Sequence, residues 1–196
     1  MAYPIITISR EYGSAGKGVA RQVAERLNIP YYDKEVISLT AQKTGFSESV
    51  VKNEQMSKAS VLVNHLFSFT QMIDVQVYMA QSEIITQLAE KPCVIVGRCA
   101  DYVLQDKDIF RVFITCDMPR RIARVKEEYK REEKDIAGLI QKTDKERKSY
   151  YEYYTDKKWG DKDSYDMIID SSIGLDLTAD LIVLAASRWT KKKQEK

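Results

Sequence analysis

The sequence predicts an α/β fold in which a parallel sheet of five strands is flanked by helices on both faces. Three observations carry the expectation. Five short apolar runs are continuous rather than alternating, which is the pattern of strands buried on both sides. Segments of helical period lie between those runs, the order a doubly wound sheet requires. Finally, 196 residues suit a single domain that buries a full core without disulfides or a structural metal.

The elements follow in order. The first run, Ile5 to Ile8, ends at Ser9, and a helix beginning near Lys17 carries the apolar stripe Val19, Ala20, Val23, Ala24 and Leu27. The runs Ile29 to Tyr32, Cys93 to Val96, Ile109 to Ile114 and Met167 to Ile169 supply the remaining strands. Val77, Ile84, Ile85 and Leu88 make a helical stripe before the third strand, and Ile122, Val125 and Tyr129 follow the fourth. Leu177, Leu181, Leu184, Ala185 and Trp189 form the apolar stripe of a closing helix. Two stretches are too long for simple crossovers. Residues 34–90 read as a helical insertion, and residues 127–160 are densely charged and tyrosine-rich, with helical spacing at Tyr150, Tyr151 and Tyr154.

Composition excludes several classes of function. A net charge of +2 lacks the strong basic excess of most nucleic-acid binders, so nucleic acid is not expected as a partner. No apolar run approaches the roughly 20 residues of a membrane span. The start, Met1-Ala2-Tyr3-Pro4-Ile5, lacks the charged and apolar regions of a signal peptide, so a cytoplasmic location is expected. Cys93, Cys99 and Cys116 fit neither a disulfide framework nor a zinc pattern, and read as small buried residues in a reducing compartment. The single histidine, His65, is assigned no chemistry, and the tail Lys191-Lys192-Lys193-Gln194-Glu195-Lys196 reads as a frayed, solvated terminus.

The chemistry is concentrated between the first strand and the first helix. Gly13-Ser14-Ala15-Gly16-Lys17-Gly18 is small at every position except the lysine. Small residues let backbone N–H groups approach phosphate oxygens, and a helix N-terminus adds partial positive charge. A lysine there can reach the outer phosphates of a nucleoside triphosphate such as ATP. Written as G-x-x-x-x-G-K-[ST], the motif departs at two places: Glu11 occupies the first glycine position and Gly18 the hydroxyl position, with Val19 next. Read alone, the segment fits a phosphate loop or a tight turn carrying an exposed lysine.

Longer pieces add a family resemblance. Ile8-Ser9-Arg10-Glu11-Tyr12-Gly13-Ser14, Pro30-Tyr31-Tyr32-Asp33-Lys34-Glu35, and Val94-Ile95-Val96-Gly97-Arg98-Cys99-Ala100-Asp101 occur in order. They are followed by Lys142-Thr143-Asp144-Lys145-Glu146-Arg147, Tyr150-Tyr151 and Trp159-Gly160. Over nearly its whole length the chain resembles the cytidylate kinase-like family of P-loop proteins, and more distantly the bacterial cytidylate kinases. The resemblance implies a P-loop kinase fold, an acceptor-binding region within 34–90 and a mobile lid within 127–160. It also implies transfer of the γ-phosphoryl group of ATP to a pyrimidine monophosphate, CMP or dCMP, with Mg²⁺, whose ligands are left unassigned. A nucleotide-binding sensor with little transfer, and a kinase for another small phosphate acceptor, are the alternatives.

Residue roles follow from the same matches. Gly13, Ser14, Ala15, Gly16, Lys17 and Gly18 would bind ATP. Lys17, Arg98, Arg121, Arg124 and Arg147 would carry the catalytic positive charge that phosphoryl transfer needs. Asp33, Arg98 and Asp101 would meet the acceptor. Gly97-Arg98 matches the Gly-Arg-Asp motif of cytidylate kinases, but Cys99 stands at the aspartate position and Asp101 comes two residues later. Asp33 reads equally as the N-cap of the next helix. Asp144 could pair with Arg147 at i, i+3. Tyr150, Tyr151, Tyr153, Tyr154 and Trp159 are expected to pack against the lid base.

Overall fold

The computed structural model describes the backbone of residues 3–52 and 64–194, and the side chains of these except 64–71 and 190–194. His65 therefore contributes only backbone here, and the side chains of the lysine-rich tail lie outside the described residues. Five parallel strands make one sheet in the order β2-β3-β1-β4-β5. They are β1 (Ile5–Arg10), β2 (Tyr31–Tyr32), β3 (Val94–Val96), β4 (Ile109–Thr115) and β5 (Met167–Asp170). β1 is central, with Ile6 opposite Val94 on one side and Phe110 on the other. β2 is shorter than the apolar run predicts. Pro30 has no N–H to give a ladder, and only its carbonyl takes part, accepting from Val94 N at 2.8 Å.

Strand alternation feeds two cores. Ile6, Ile8, Val94, Val96, Val112 and Ile114 face α1 (Gly16–Leu27) and α8 (Leu175–Gln194). Ile5, Cys93, Ile95 and Ile109 face the other way, toward α4 (Asn64–Leu88) and α5 (Ala100–Val103). This double burial is why the runs lack a polar alternate. The three cysteines are buried thiols, and burial raises that of Cys93 to about 11.

The stripe expected on α1 is buried throughout. On α8 the expected stripe holds only at Ala185 and Trp189, which pack half-buried against the core. Leu177, Leu181 and Leu184 are exposed, while Thr178, Ala179, Ile182 and Ala186 are fully buried against α1. Close approach to Ala20, Val23 and Ala24 selects small side chains, which the leucine spacing does not reveal. On α4, Val77, Ile84 and Ile85 are buried as expected.

The stretch 34–90 is helical where described: α2 (Lys34–Thr44), α3 (Glu48–Lys52) and α4. After β4 come α6 (Met118–Glu127) and α7 (Ile136–Thr155). Asp117 caps α6 by accepting from Arg120 N at 2.9 Å, and Asp135 caps α7 by accepting from Gly138 N at 2.8 Å. Tyr129 falls just beyond α6, half-exposed, so only Val125 of the stripe expected there is fully buried. No helix among the described residues is long and apolar enough to cross a membrane.

Candidate functional site

The loop from β1 into α1 has the shape that its small residues predict. Gly13 (φ 82°) and Ala15 (φ 60°) are left-handed, bending the chain into a concavity of backbone amides. A Cβ on Gly13 would stand 3.0 Å from Val125 Cγ2 and 3.1 Å from Arg121 Cβ, so glycine is also required for space. α1 begins without a side-chain cap, which leaves its first-turn amides available to an anion. Gly18 is different: a Cβ there would meet only Leu175 Cδ2 at 3.6 Å, so sterics do not explain the lost hydroxyl.

The departure at Glu11 has a structural account. Its Oε2 accepts from Cys116 N at 3.0 Å and lies 3.5 Å from Arg121 Nη1, tying the loop to the end of β4 and to α6. Burial raises the Glu11 pKa, against the opposing pull of the Cys116 amide and Arg121. Ser14 is spoken for as well. Its Oγ donates to the Glu11 carbonyl at 2.9 Å, and its own carbonyl accepts from Ser171 Oγ at 2.7 Å.

Four charged side chains from α6 and α7 grip the outer side of the same loop. Arg147 Nη1 donates to the Arg10 carbonyl (3.0 Å), Arg121 Nε to the Tyr12 carbonyl (2.7 Å), and Arg124 Nη1 to the Gly13 carbonyl (2.7 Å). Asp144 Oδ1 accepts from Tyr12 N at 2.7 Å, and its other oxygen pairs with Arg121 Nη2. Asp144 is thus the partner of Arg121. Arg121 and Arg124, expected to face phosphate, line neither of the two cavities beside the loop. Charged hydrogen bonds to these backbone carbonyls hold the arginines in this arrangement.

Lys17 is half-exposed, and its Nζ lies 2.8 Å from Asp33 Oδ2. Asp33 makes no side-chain cap on α2; Glu35 Oε2 accepts from the Asp33 N–H instead. Between its two readings, then, the carboxylate of Asp33 turns to the site.

Beyond β3 the backbone is strained. Gly97 (φ 73°), Arg98 (φ 58°) and Cys99 (φ 53°) are consecutive left-handed residues, and each of the last two costs about 1–2 kcal/mol. Strain of this kind collects at ligand sites. Arg98 Nη1 donates to the Val51 carbonyl at 3.3 Å, which also accepts from Gln81 Nε2. Asp101, expected to meet the acceptor, lines neither of these cavities; it is 5% exposed, and Tyr151 Oη donates to it at 2.7 Å. Burial raises the pKa of Asp101. Tyr154 stacks on Tyr78 with ring centroids 4.0 Å apart, and Trp159 packs edge-on against Phe113, as packing residues should.

Two cavities flank the strand ends. The larger, of about 260 Å³, is lined by Arg10, Glu11, Tyr12, Gly13, Gly16, Lys17, Tyr129 and Arg147. The smaller, of about 30 Å³, has room for little more than a water molecule, and Arg10, Arg98, Arg147, Tyr150, Tyr151 and Trp159 form most of its wall. Arg10 and Arg147 belong to both. Sequence reasoning assigned no role to Arg10 or Tyr12. The available signal for Arg10 is its place as the first charged residue after the apolar run, at the carboxyl end of the central strand.

Mg²⁺ finds no cage here: no group of three or more His, Cys, Asp or Glu side chains among the described residues could hold a metal ion. A magnesium ion arriving with a triphosphate would draw its ligands from phosphate oxygens and water.

The chain matches the cytidylate kinase-like family over residues 5–173. It belongs to that family. No curated protein matches it. Among solved structures it is similar to an uncharacterized protein from Eubacterium ventriosum ATCC 27560, at 30% identity and TM-score 0.72, covering 94% of this chain and 98% of that one. A shikimate kinase from Acinetobacter baumannii, solved with shikimate, is similar at 16% identity and TM-score 0.56, over 95% of this chain and 94% of that one. A sugar kinase from Janibacter sp. HTCC2649 is similar at 11% identity and TM-score 0.54, over 96% and 95%. These last two share the fold: the P-loop kinase arrangement of a parallel sheet between helices. A kinase-like family and this fold together make a phosphotransferase the general class.

Proposed function

We propose that this protein transfers the γ-phosphoryl group of ATP to a nucleoside monophosphate, CMP or dCMP, in the cytoplasm, with Mg²⁺ accompanying the triphosphate. One observation carries the reading: the cavity at the phosphate loop and the cavity at Arg98 share lining residues, so a donor and an acceptor phosphate would meet between them. Small nucleotides are its partners; nucleic acid and membrane surfaces have no part in it.

The chain's own residues would act as follows. Loop amides from Gly13 to Gly18 and the N-terminus of α1 receive the donor phosphates. Lys17 leaves Asp33 for the outer phosphates. Arg98 clamps the acceptor phosphate with its planar fork. Asp33 contacts the acceptor, and Asp101 supports the acceptor wall through Tyr151. Arg121 and Arg124 hold the loop to shape, and Arg147 faces both nucleotides. Residues 127–160 act as the lid. The smaller cavity must widen to admit a nucleotide, which makes movement of α7 part of binding.

The test is turnover of purified protein with ATP, Mg²⁺ and a panel of monophosphates. ADP formed with CMP or dCMP, and not with purine monophosphates, supports the reading. Turnover with a phosphate compound other than a nucleotide moves the acceptor to that class. A second reading, a nucleotide-binding sensor, is favoured by the Lys17–Asp33 pair and by Gly18 and Val19 at the hydroxyl positions. ATP binding without turnover on any acceptor would establish it.

A further inference from the structure

We infer that Arg10 is a further catalytic residue, whose guanidinium contacts the phosphoryl group as it passes between the two cavities. The inference rests on the phosphotransfer reading above. Arg10 is the last residue of the central strand. There α1 leaves β1 on one face of the sheet and α5 leaves β3 on the other, which opens a crevice at the adjoining strand ends. Arg10 is 9% exposed and lines both cavities.

Two glycines make the slot in which it lies. A Cβ on Gly16 would stand 2.6 Å from Arg10 Cβ, and a Cβ on Gly97 would overlap Arg10 Nη1. The turn into α1 and the turn after β3 are therefore both shaped around this one side chain. Arg147 bonds to the Arg10 carbonyl, and Arg98 completes the wall of the smaller cavity, which has no carboxylate among its described lining residues. Lys17, by contrast, is half-exposed. A cation held in a drier place exerts the stronger field on developing charge.

In the step itself, an ionised oxygen of the acceptor phosphate bonds to the γ-phosphorus. The bond from that phosphorus to the β–γ bridging oxygen breaks, and its electron pair leaves with ADP. No proton has to move. Charge spreads over the three equatorial oxygens of the transferring group, and Arg10 donates to them.

The experiment compares Arg10→Gln, Arg10→Lys and Arg10→Ala with wild type on its best acceptor. Arg10→Gln should lose on the order of 10²–10³ in kcat. Arg10→Lys should recover part of the loss, and millimolar guanidinium should restore turnover to Arg10→Ala. A kcat loss below tenfold, or a loss that follows a lowered Tm with no rescue by lysine or guanidinium, overturns the assignment. If wild type turns over no acceptor, the phosphotransfer reading falls, and the position of Arg10 is read from binding instead. Tripolyphosphate and inorganic phosphate, titrated by calorimetry, should both bind more than tenfold more weakly to Arg10→Gln. Weakening of one or neither overturns the placement.

Discussion

The ammonium of Lys17 stands 2.8 Å from the carboxylate of Asp33, so the residue that follows β2 holds the lysine of the phosphate loop. A triphosphate must take this lysine from Asp33. Lys17 is half-exposed, which limits the pair to about 0–1 kcal/mol. Asp33→Asn is therefore expected to tighten ATP binding by up to about fivefold and to weaken acceptor binding. Calorimetric titration of each ligand separately checks both directions.

Arg98 is held in a left-handed conformation with its side chain on the smaller cavity. Arg98→Ala should lose about 2–4 kcal/mol of transition-state stabilisation, by analogy with removal of a preorganised donor. A loss below tenfold in turnover would assign the residue to structure. Arg98→Lys should stay well below wild type, because a point charge cannot replace the fork.

Gly97→Ala combines two faults, a positive φ and overlap with Arg10 Nη1. It should cost about 1–3 kcal/mol in unfolding free energy. Denaturant titration measures that cost, and turnover should fall as well because Arg10 is displaced. Unchanged stability would mean that the β3–α5 turn relaxes freely.

Asp101 gives a pH prediction. Burial raises its pKa in the fold, so the folded protein binds the proton more tightly than the unfolded chain. Its contribution to stability is then complete below the ordinary carboxylate value of about 3.9 and is lost as pH rises through the raised one. Asp101→Asn keeps an acceptor for Tyr151 and removes the titration. The Tm of the variant relative to wild type should rise with pH across that window and level off above it. A difference independent of pH would contradict the account.

The two faces of α8 should respond in opposite ways. Leu181→Lys and Leu184→Glu alter exposed positions and should change stability by no more than about 0.5 kcal/mol. Ile182→Ala opens a void in the core against α1 and should cost about 2–5 kcal/mol. Thermal melts of the three variants decide which face is buried.

Much of the fold was legible in advance. Continuous apolar runs announce doubly covered strands, and the small-residue stretch before the Val19–Leu27 stripe announces a turn into a helix. The face of α8 was not legible. Leucine at helical spacing marks an apolar face, but helix–helix contact at close range prefers Ala179 and Ala186. The site was partly legible. Lys17, Arg98 and Arg147 border the cavities, whereas Arg121 and Arg124 are turned to the loop's carbonyls.

What the sequence by itself determined is local: the order of strands and helices, the small-residue loop, and the supply of arginines in four separate segments. Near neighbours in the chain control these features through backbone sterics and burial period. Only the tertiary structure decided which cations face a cavity and which are spent on backbone. Arg10 meets Gly97, Arg121 meets Tyr12, and Lys17 meets Asp33 across spans of chain that no local spacing encodes. Charged side chains reach whatever partner folding brings within hydrogen-bond distance, so their roles are fixed by the packing of α1, α6 and α7 around the end of β1.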